Sequence, residues 1–189
     1  MKKNFVVYFS GYGHAKKIAE YVAEGADASL IRINESGDIS QDEWGFLDNA
    51  NAIIFGAPTY MGGAPWQFKK FADNSSRKWS EAKWKDKVFG GFTISASLNG
   101  DKQVTLIYFQ TLASQHQGIW VSLGLPPSNT TNSSRNDINS LGSSVGLIAQ
   151  CPSDADSVAI PQGDILTAQK YGERIHYITN KLFFNNKSN

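Results

Sequence analysis

The hydrophobic pattern opens with an unbroken run, Phe5-Val6-Val7-Tyr8-Phe9, which is three aromatic and two β-branched residues. Such a run predicts a strand buried on both faces. Ser10 to Ala15 then forms a small polar turn with glycine at 11 and 13. From Ala15 to Ala26 the apolar positions Ile18, Ala19, Val22, Ala23 and Ala26 fall on one helical face. Further strands are predicted over Ser29 to Ile33, Asn51 to Ala57, Lys87 to Ser95 and Gly118 to Leu123. Between them lie a short helix or turn within Gly37 to Asn49, anchored by Trp44, Phe46 and Leu47, and a helix that begins at Trp66 and fades by Asn74. Another helix covers Gln103 to His116, and the last runs from about Asp164 to Leu182, with Asp164 in its first turn or as its cap.

Strands alternating with helices predict an α/β fold, a doubly wound parallel sheet with helices on both faces. Five strands suggest the order 2-1-3-4-5, whose ligand site lies at the carboxyl ends of strands 1 and 3. One segment, Pro126 to Gly163, breaks the rhythm with Pro, Ser, Asn and Gly around the apolar stretch Val145 to Gln150. It reads as an ordered excursion with a short extra strand inside a single domain spanning 1–189, because the final helix must still return to the sheet.

Composition narrows the class. At 41% hydrophobic over 189 residues the chain can bury one sizeable core. A formal charge of +1 gives no long-range pull on nucleic acid or an anionic membrane surface. The single cysteine, Cys151, allows no internal disulfide and favours a reducing, cytoplasmic setting. No apolar run is long enough for a membrane span. Acceptor patterns for N-glycosylation at Asn34, Asn74, Asn129, Asn132 and Asn186 read as polar loop residues.

Three loops fall at carboxyl ends of predicted strands. Ser10 to Ala15 offers a hydroxyl and backbone N–H groups at a helix start, which suit a phosphate. It is neither the G-x-G-x-x-G fingerprint, having no glycine at 16, nor a Walker loop. In Gly56 to Gly63, Pro58 stiffens the strand exit, Thr59 offers a hydroxyl and an N–H to a ring edge, and Tyr60 offers an aromatic face. Ser95-Ala96-Ser97-Leu98-Asn99-Gly100 supplies small and hydroxyl residues near backbone level. Each loop alone also reads as ordinary turn structure. His14, His116 and Cys151 form no metal-ligand spacing, His176 has no evident partner, and no Ser/His/Asp set is present. Protein side chains alone therefore do not explain an activity, whereas a planar phosphorylated cofactor would.

These stretches together resemble the flavodoxin-like FMN proteins, most closely the NAD(P)H:quinone oxidoreductases of the tryptophan-repressor-binding-protein type. Ser10-Gly11-Tyr12-Gly13-His14 is similar to that family's phosphate loop. Ile53 to Gly62, with Gln67-Phe68-Lys69 and Phe71-Ala72-Asp73 after it, resembles its second flavin segment, and Phe92-Thr93 with Ser95-Ala96-Ser97 its third. The resemblance covers nearly the whole chain. It implies that Ser10, Gly11, Tyr12, Gly13, His14 and Ala15 bind the FMN phosphate. It implies that Pro58, Thr59 and Tyr60 line the isoalloxazine, and that Ser95, Ala96, Ser97, Leu98, Asn99 and Gly100 wrap its pyrimidine edge. It further implies that His116 is catalytic beside the flavin, that Tyr12 borders the nicotinamide pocket, and that Trp79 closes the site from a neighbouring subunit of a homodimer or homotetramer. Ala15, Leu98 and Asn99 depart from the family pattern. The expected activity is transfer of two electrons from NAD(P)H through FMN to a quinone by a ping-pong route. The rival is a flavodoxin-type carrier with no NAD(P)H activity of its own.

Overall fold

The computed structural model describes residues 3–184; the acceptor pattern at Asn186 lies outside them. The elements follow in the order β1 (Asn4–Tyr8), α1 (His14–Gly25), β2 (Ala28–Arg32), α2 (Gln41–Asp48), β3 (Ala52–Pro58), α3 (Trp66–Asn74), α4 (Ser76–Ser80), β4 (Val88–Ser95), α5 (Lys102–Gln115), β5 (Ile119–Trp120), β6 (Leu147–Gln150) and α6 (Gln162–Phe183). A 3-10 turn at Ser157–Ala159 precedes α6.

The strands pair in parallel in the order β2-β1-β3-β4-β5, and the fold is flavodoxin-like. Alternation along β1 feeds two layers. Val6 and Tyr8 enter the layer under α1 and α6. Phe5, Val7 and Phe9 enter the layer shared with Leu47 of α2, Phe68 and Phe71 of α3, and Leu106 and Phe109 of α5. Phe55, Phe68, Phe89 and Phe109 are fully buried, and each such side chain contributes roughly 1.5–3 kcal/mol. The two long helices α1 and α6 meet backbone to backbone: a Cβ on Gly172 would stand 2.3 Å from the Val22 carbonyl oxygen.

The fifth strand departs from its sequence reading. Only Ile119–Trp120 pairs with β4, at Val88 and Phe89. The chain then turns off through Gly124, whose φ of 68° lies in the left-handed region, and through Pro126 and Pro127, which cannot donate to a ladder. The excursion returns as β6, which pairs in parallel with Phe92 to Ser95 further along the same edge of β4. The extra strand thus continues the column that β5 begins, and the excursion is an insertion within that column. Tyr171 of α6 bolts the junction, accepting from the Gly91 amide at 3.1 Å and donating to the Val121 carbonyl at 2.7 Å. The short helix α4, unread in the sequence, follows a break at Ser75, whose hydroxyl donates to the Ala72 carbonyl. No described helix is long and apolar enough to cross a membrane, and no cluster of described His, Cys, Asp and Glu residues is placed to hold a metal.

Candidate functional site

Parallel strands deliver their following loops to one edge of the sheet. Along the carboxyl edge, Tyr12 and His14 from the first loop, Thr59 and Tyr60 from the second, and Ser95 and Ala96 from the third line a cavity of about 380 Å³. Cys151 and Ser153 from the stretch after β6 form its fourth wall.

The first loop is shaped by Ser10, which is 4% exposed. Its Oγ accepts from the amides of Gly13 and Lys16 at 3.2 and 3.1 Å, which leaves the hydroxyl proton free to donate outward. Gly13 sits at φ 91°, where a Cβ would be strained although space is open. The amides of Tyr12, His14 and Ala15 have no internal acceptor among the described residues, as expected where a helix begins. The His14 ring is a fastener: Nε2 donates to the Ala155 carbonyl at 2.8 Å and ties the far side of the excursion to the phosphate-type loop.

The second loop is organised differently from its sequence reading. Thr59 is buried, and its hydroxyl lies 2.8 Å from both the Thr93 and Thr105 hydroxyls. Its amide donates to the Ile94 carbonyl at 3.0 Å. Neither group is offered to a ring edge, because three buried hydroxyls satisfy one another inside the fold. Tyr60 closes a small hairpin with Gly63 over Met61 and Gly62, both with positive φ. Its hydroxyl overhangs Gly11, where an added Cβ would come within 2.8 Å of it. Burial raises the Tyr60 phenol pKa, with Tyr12 and Glu35 adding to the effect. Tyr12 meets Tyr60 edge-on at 6.4 Å and is 81% exposed.

At the third loop, Ser95 Oγ is buried with no hydrogen-bond partner among the described residues. The Ala96 carbonyl accepts from Gln150 Nε2 at 2.8 Å. The Ser97 and Leu98 carbonyls accept from Lys102 Nζ at 2.6 and 3.0 Å. Ser10, Gly11, Gly13, Ala15, Pro58, Ser97, Leu98, Asn99 and Gly100 belong to these loops without lining the cavity.

His116 and Trp79 lie elsewhere. Helices α3 and α5 run back against the strands, so their ends return to the amino-terminal edge. There His116 and the half-exposed Trp79 line a separate cavity of about 470 Å³. His116 is 3% exposed, with its ring 4.4 Å from that of Trp84. Ser75 Oγ already donates to Ala72, so His116 Nε2 carries the proton of their 2.8 Å contact. Burial pushes the His116 pKa down to about 4, and the ring is neutral at pH 7. Within one chain, then, the structure separates His116 and Trp79 from the three loops.

Lys102, Cys151 and Ser153 escaped the sequence reading. Cys151 and Ser153 carry no local signal, because β6 alone brings them to the edge. Lys102 did carry one, as a cation in the first helical turn, where the dipole favours anions.

The cavity fits a planar ligand with a phosphate tail. The loop that supplies Tyr12 and His14 to its wall also carries the Ser10 hydroxyl and helix-start amides suited to the anion, Tyr60 forms a further part of the wall, and the Ser95 hydroxyl, without a partner among the described residues, belongs to a lining residue.

Residues 5–117 match the family model described as a flavodoxin domain. Flavodoxin FldP of Pseudomonas aeruginosa is 63% identical over 182 residues, 96% of this chain and 99% of that protein. An NAD(P)H dehydrogenase (quinone) of Cupriavidus metallidurans is 30% identical over 212 residues, 97% of this chain and 100% of its own. Among solved structures, a WrbA-like flavodoxin from Agrobacterium tumefaciens superposes with a TM-score of 0.80 at 49% identity, covering 96% of this chain and 99% of that one.

Proposed function

The chain belongs to the flavodoxin family, on the side that resembles the tryptophan-repressor-binding-protein type, and we propose on that footing that the carboxyl-edge cavity holds FMN and that the protein works by passing electrons through it. The observation that carries this reading is the meeting of three loops around unpartnered donors at one edge of the sheet. The Ser10 hydroxyl and the amides of Tyr12, His14 and Ala15 take the phosphate, with Gly11 and Gly13 allowing the main chain to approach. Tyr60 lies along the ring, and Pro58 and Thr59 hold its loop rigid from beneath. Ser95, Ala96, Ser97, Leu98, Asn99 and Gly100 meet the ring edge, chiefly through the Ser95 hydroxyl and backbone N–H groups. When bound, FMN supplies the electron-accepting ring.

Carriage of electrons between partners is the use that one chain's geometry supports best. Tyr12 stands exposed at the cavity, while Trp79, expected to close it from a neighbouring subunit, and His116, expected beside the flavin, lie at the opposite edge of their own chain. The 63% relative is itself named a flavodoxin. A second reading, reduction of a quinone by NAD(P)H, is favoured by the near-neutral charge of +1, which lacks the acidity of a protein that docks by charge. That reading needs a homodimer or homotetramer in which a neighbouring copy brings Trp79 and His116 to the cavity mouth, with Tyr12 beside the nicotinamide.

Absorbance of the purified protein under anaerobic conditions separates these cases. The carrier reading expects one FMN per chain that dithionite bleaches and NADH or NADPH alone does not. Rapid bleaching by NAD(P)H, followed by turnover on a quinone, replaces it with the reductase reading. A colourless protein that takes up no added FMN overturns both.

A further inference from the structure

Lys102 is the first residue of α5 and is fully buried. A cation there sits at the positive end of the helix dipole and away from water, two costs at once. No described carboxylate lies within ion-pair distance of it; its Nζ instead donates to the carbonyls of Ser97 and Leu98. Trans peptide geometry then fixes the opposite side of each unit. Pulling those two carbonyls toward Lys102 aims the N–H groups of Leu98 and Asn99 the other way, side by side. Neither amide has an internal acceptor among the described residues. The loop is otherwise loosely built, with Leu98 63% exposed and Gly100 and Asp101 at φ 49° and 58°.

The charged groups facing Lys102 are Asp164 of α6 and Arg135 of the excursion. They form an ion pair at 2.8 Å, and Asp164 also accepts from the Gln150 amide. The strands packed on α5, β4 and β5, carry no titratable side chain. Burial, only partly offset by Asp164 and increased by Arg135, lowers the Lys102 pKa to about 8.

Resting on the reading that the third loop receives the flavin's ring edge, we propose that Lys102 is a positioning residue for the cofactor: its buried ammonium ties back two carbonyls, presents the Leu98 and Asn99 N–H groups to ring acceptors, and holds the loop less tightly when its charge is lost, because the neutral amine keeps two donors without the charge assistance.

FMN affinity measured from pH 7 to 9 tests this. The wild-type affinity is expected to fall about tenfold across that range, with a midpoint near 8. Lys102→Met binds about tenfold more weakly at pH 7 and shows no midpoint, while its melting temperature at pH 7 equals or exceeds the wild type's because no charge is buried. Lys102→Arg, whose guanidinium stays charged, abolishes the midpoint and keeps the pH 7 affinity. A flat wild-type profile, or a Met variant that binds as tightly as wild type, overturns the proposal. Failure of every form to bind FMN would instead sink the flavin reading. In that case the ¹³C-methyl signal of Leu98 in flavin-free protein still decides the tie: a wild-type shift with a midpoint near 8 that Lys102→Met lacks upholds it, and an unmoving signal refutes it.

Discussion

At the amino-terminal edge of the sheet, buried polar groups have found one another. His116 gives its Nε2 proton to Ser75, Trp84 gives its indole N–H to Asp48, and Lys87 donates to the carbonyls of Asp48 and Ala50. The rings there are stacked, Trp44 on Phe71 and on Trp84, and among the described residues the one buried side-chain polar atom there without a partner is His116 Nδ1. At the carboxyl edge the same kinds of group stand open. Among the described residues Ser95 Oγ is buried without a partner and the helix-start amides have no internal acceptor, and Tyr12, Met61 and Trp66 are exposed. Each edge has cavities of similar size, one of about 470 Å³ at the amino-terminal edge and others of about 380 and 580 Å³ at the carboxyl edge. Cavity size is therefore a poor guide here. What distinguishes the binding edge is donors without internal acceptors among the described residues.

Breaking the amino-terminal edge should cost stability and spare the flavin. Trp84→Ala removes a fully buried indole and is expected to lower unfolding free energy by about 3–5 kcal/mol, read by denaturant titration. FMN affinity of the folded fraction should stay within about twofold, and a larger loss would join the two edges energetically. His116 gives a pH test of the same division. Its folded pKa is about 4, against 6.5 for the free ring. As pH falls through that window the unfolded chain takes up the proton first, so stability present above pH 6.5 is lost toward pH 4, by roughly 3 kcal/mol in all. Acid titration of His116→Gln should show that slope flattened, with FMN affinity at pH 7 unchanged.

The same distinction explains what the sequence could show. Phe5 to Phe9 and the glycine turn after it are local signals, since a strand buried on both faces must be apolar throughout and a chain at φ 91° needs Gly13. Alternation predicted the parallel sheet, and the count of five strands suggested its order. The fate of Thr59 was not legible, because the hydroxyls that capture it come from Thr93 and Thr105, on other elements. The run Gly118 to Leu123 looked like one strand, yet the column is completed by residues 147–150 from across the insertion. The distance of His116 from the loops within one chain is not legible locally either, because the βαβ geometry carries the end of α5 to the other edge.

Two smaller effects sharpen the contrast at the carboxyl edge. Thr59→Val leaves Thr93 and Thr105 without their shared partner and should cost about 1–3 kcal/mol by thermal melting. FMN affinity should change less than about twofold, since the hydroxyl faces inward. Ser95→Ala removes a hydroxyl with no partner among the described residues, so stability should move by no more than about 0.5 kcal/mol. FMN affinity should nevertheless fall about five- to tenfold; equal affinity would remove Ser95 from the cradle.

The most direct test is an amide chemical-shift map of the protein during titration with FMN. The account predicts the largest shifts at Gly11 to Ala15, at Ser95 to Asn99 and at Ser153, with His116, Trp79 and Trp84 unmoved at one FMN per chain. Shifts centred on His116 and Trp79 within a monomer, or none at the first and third loops, would contradict it.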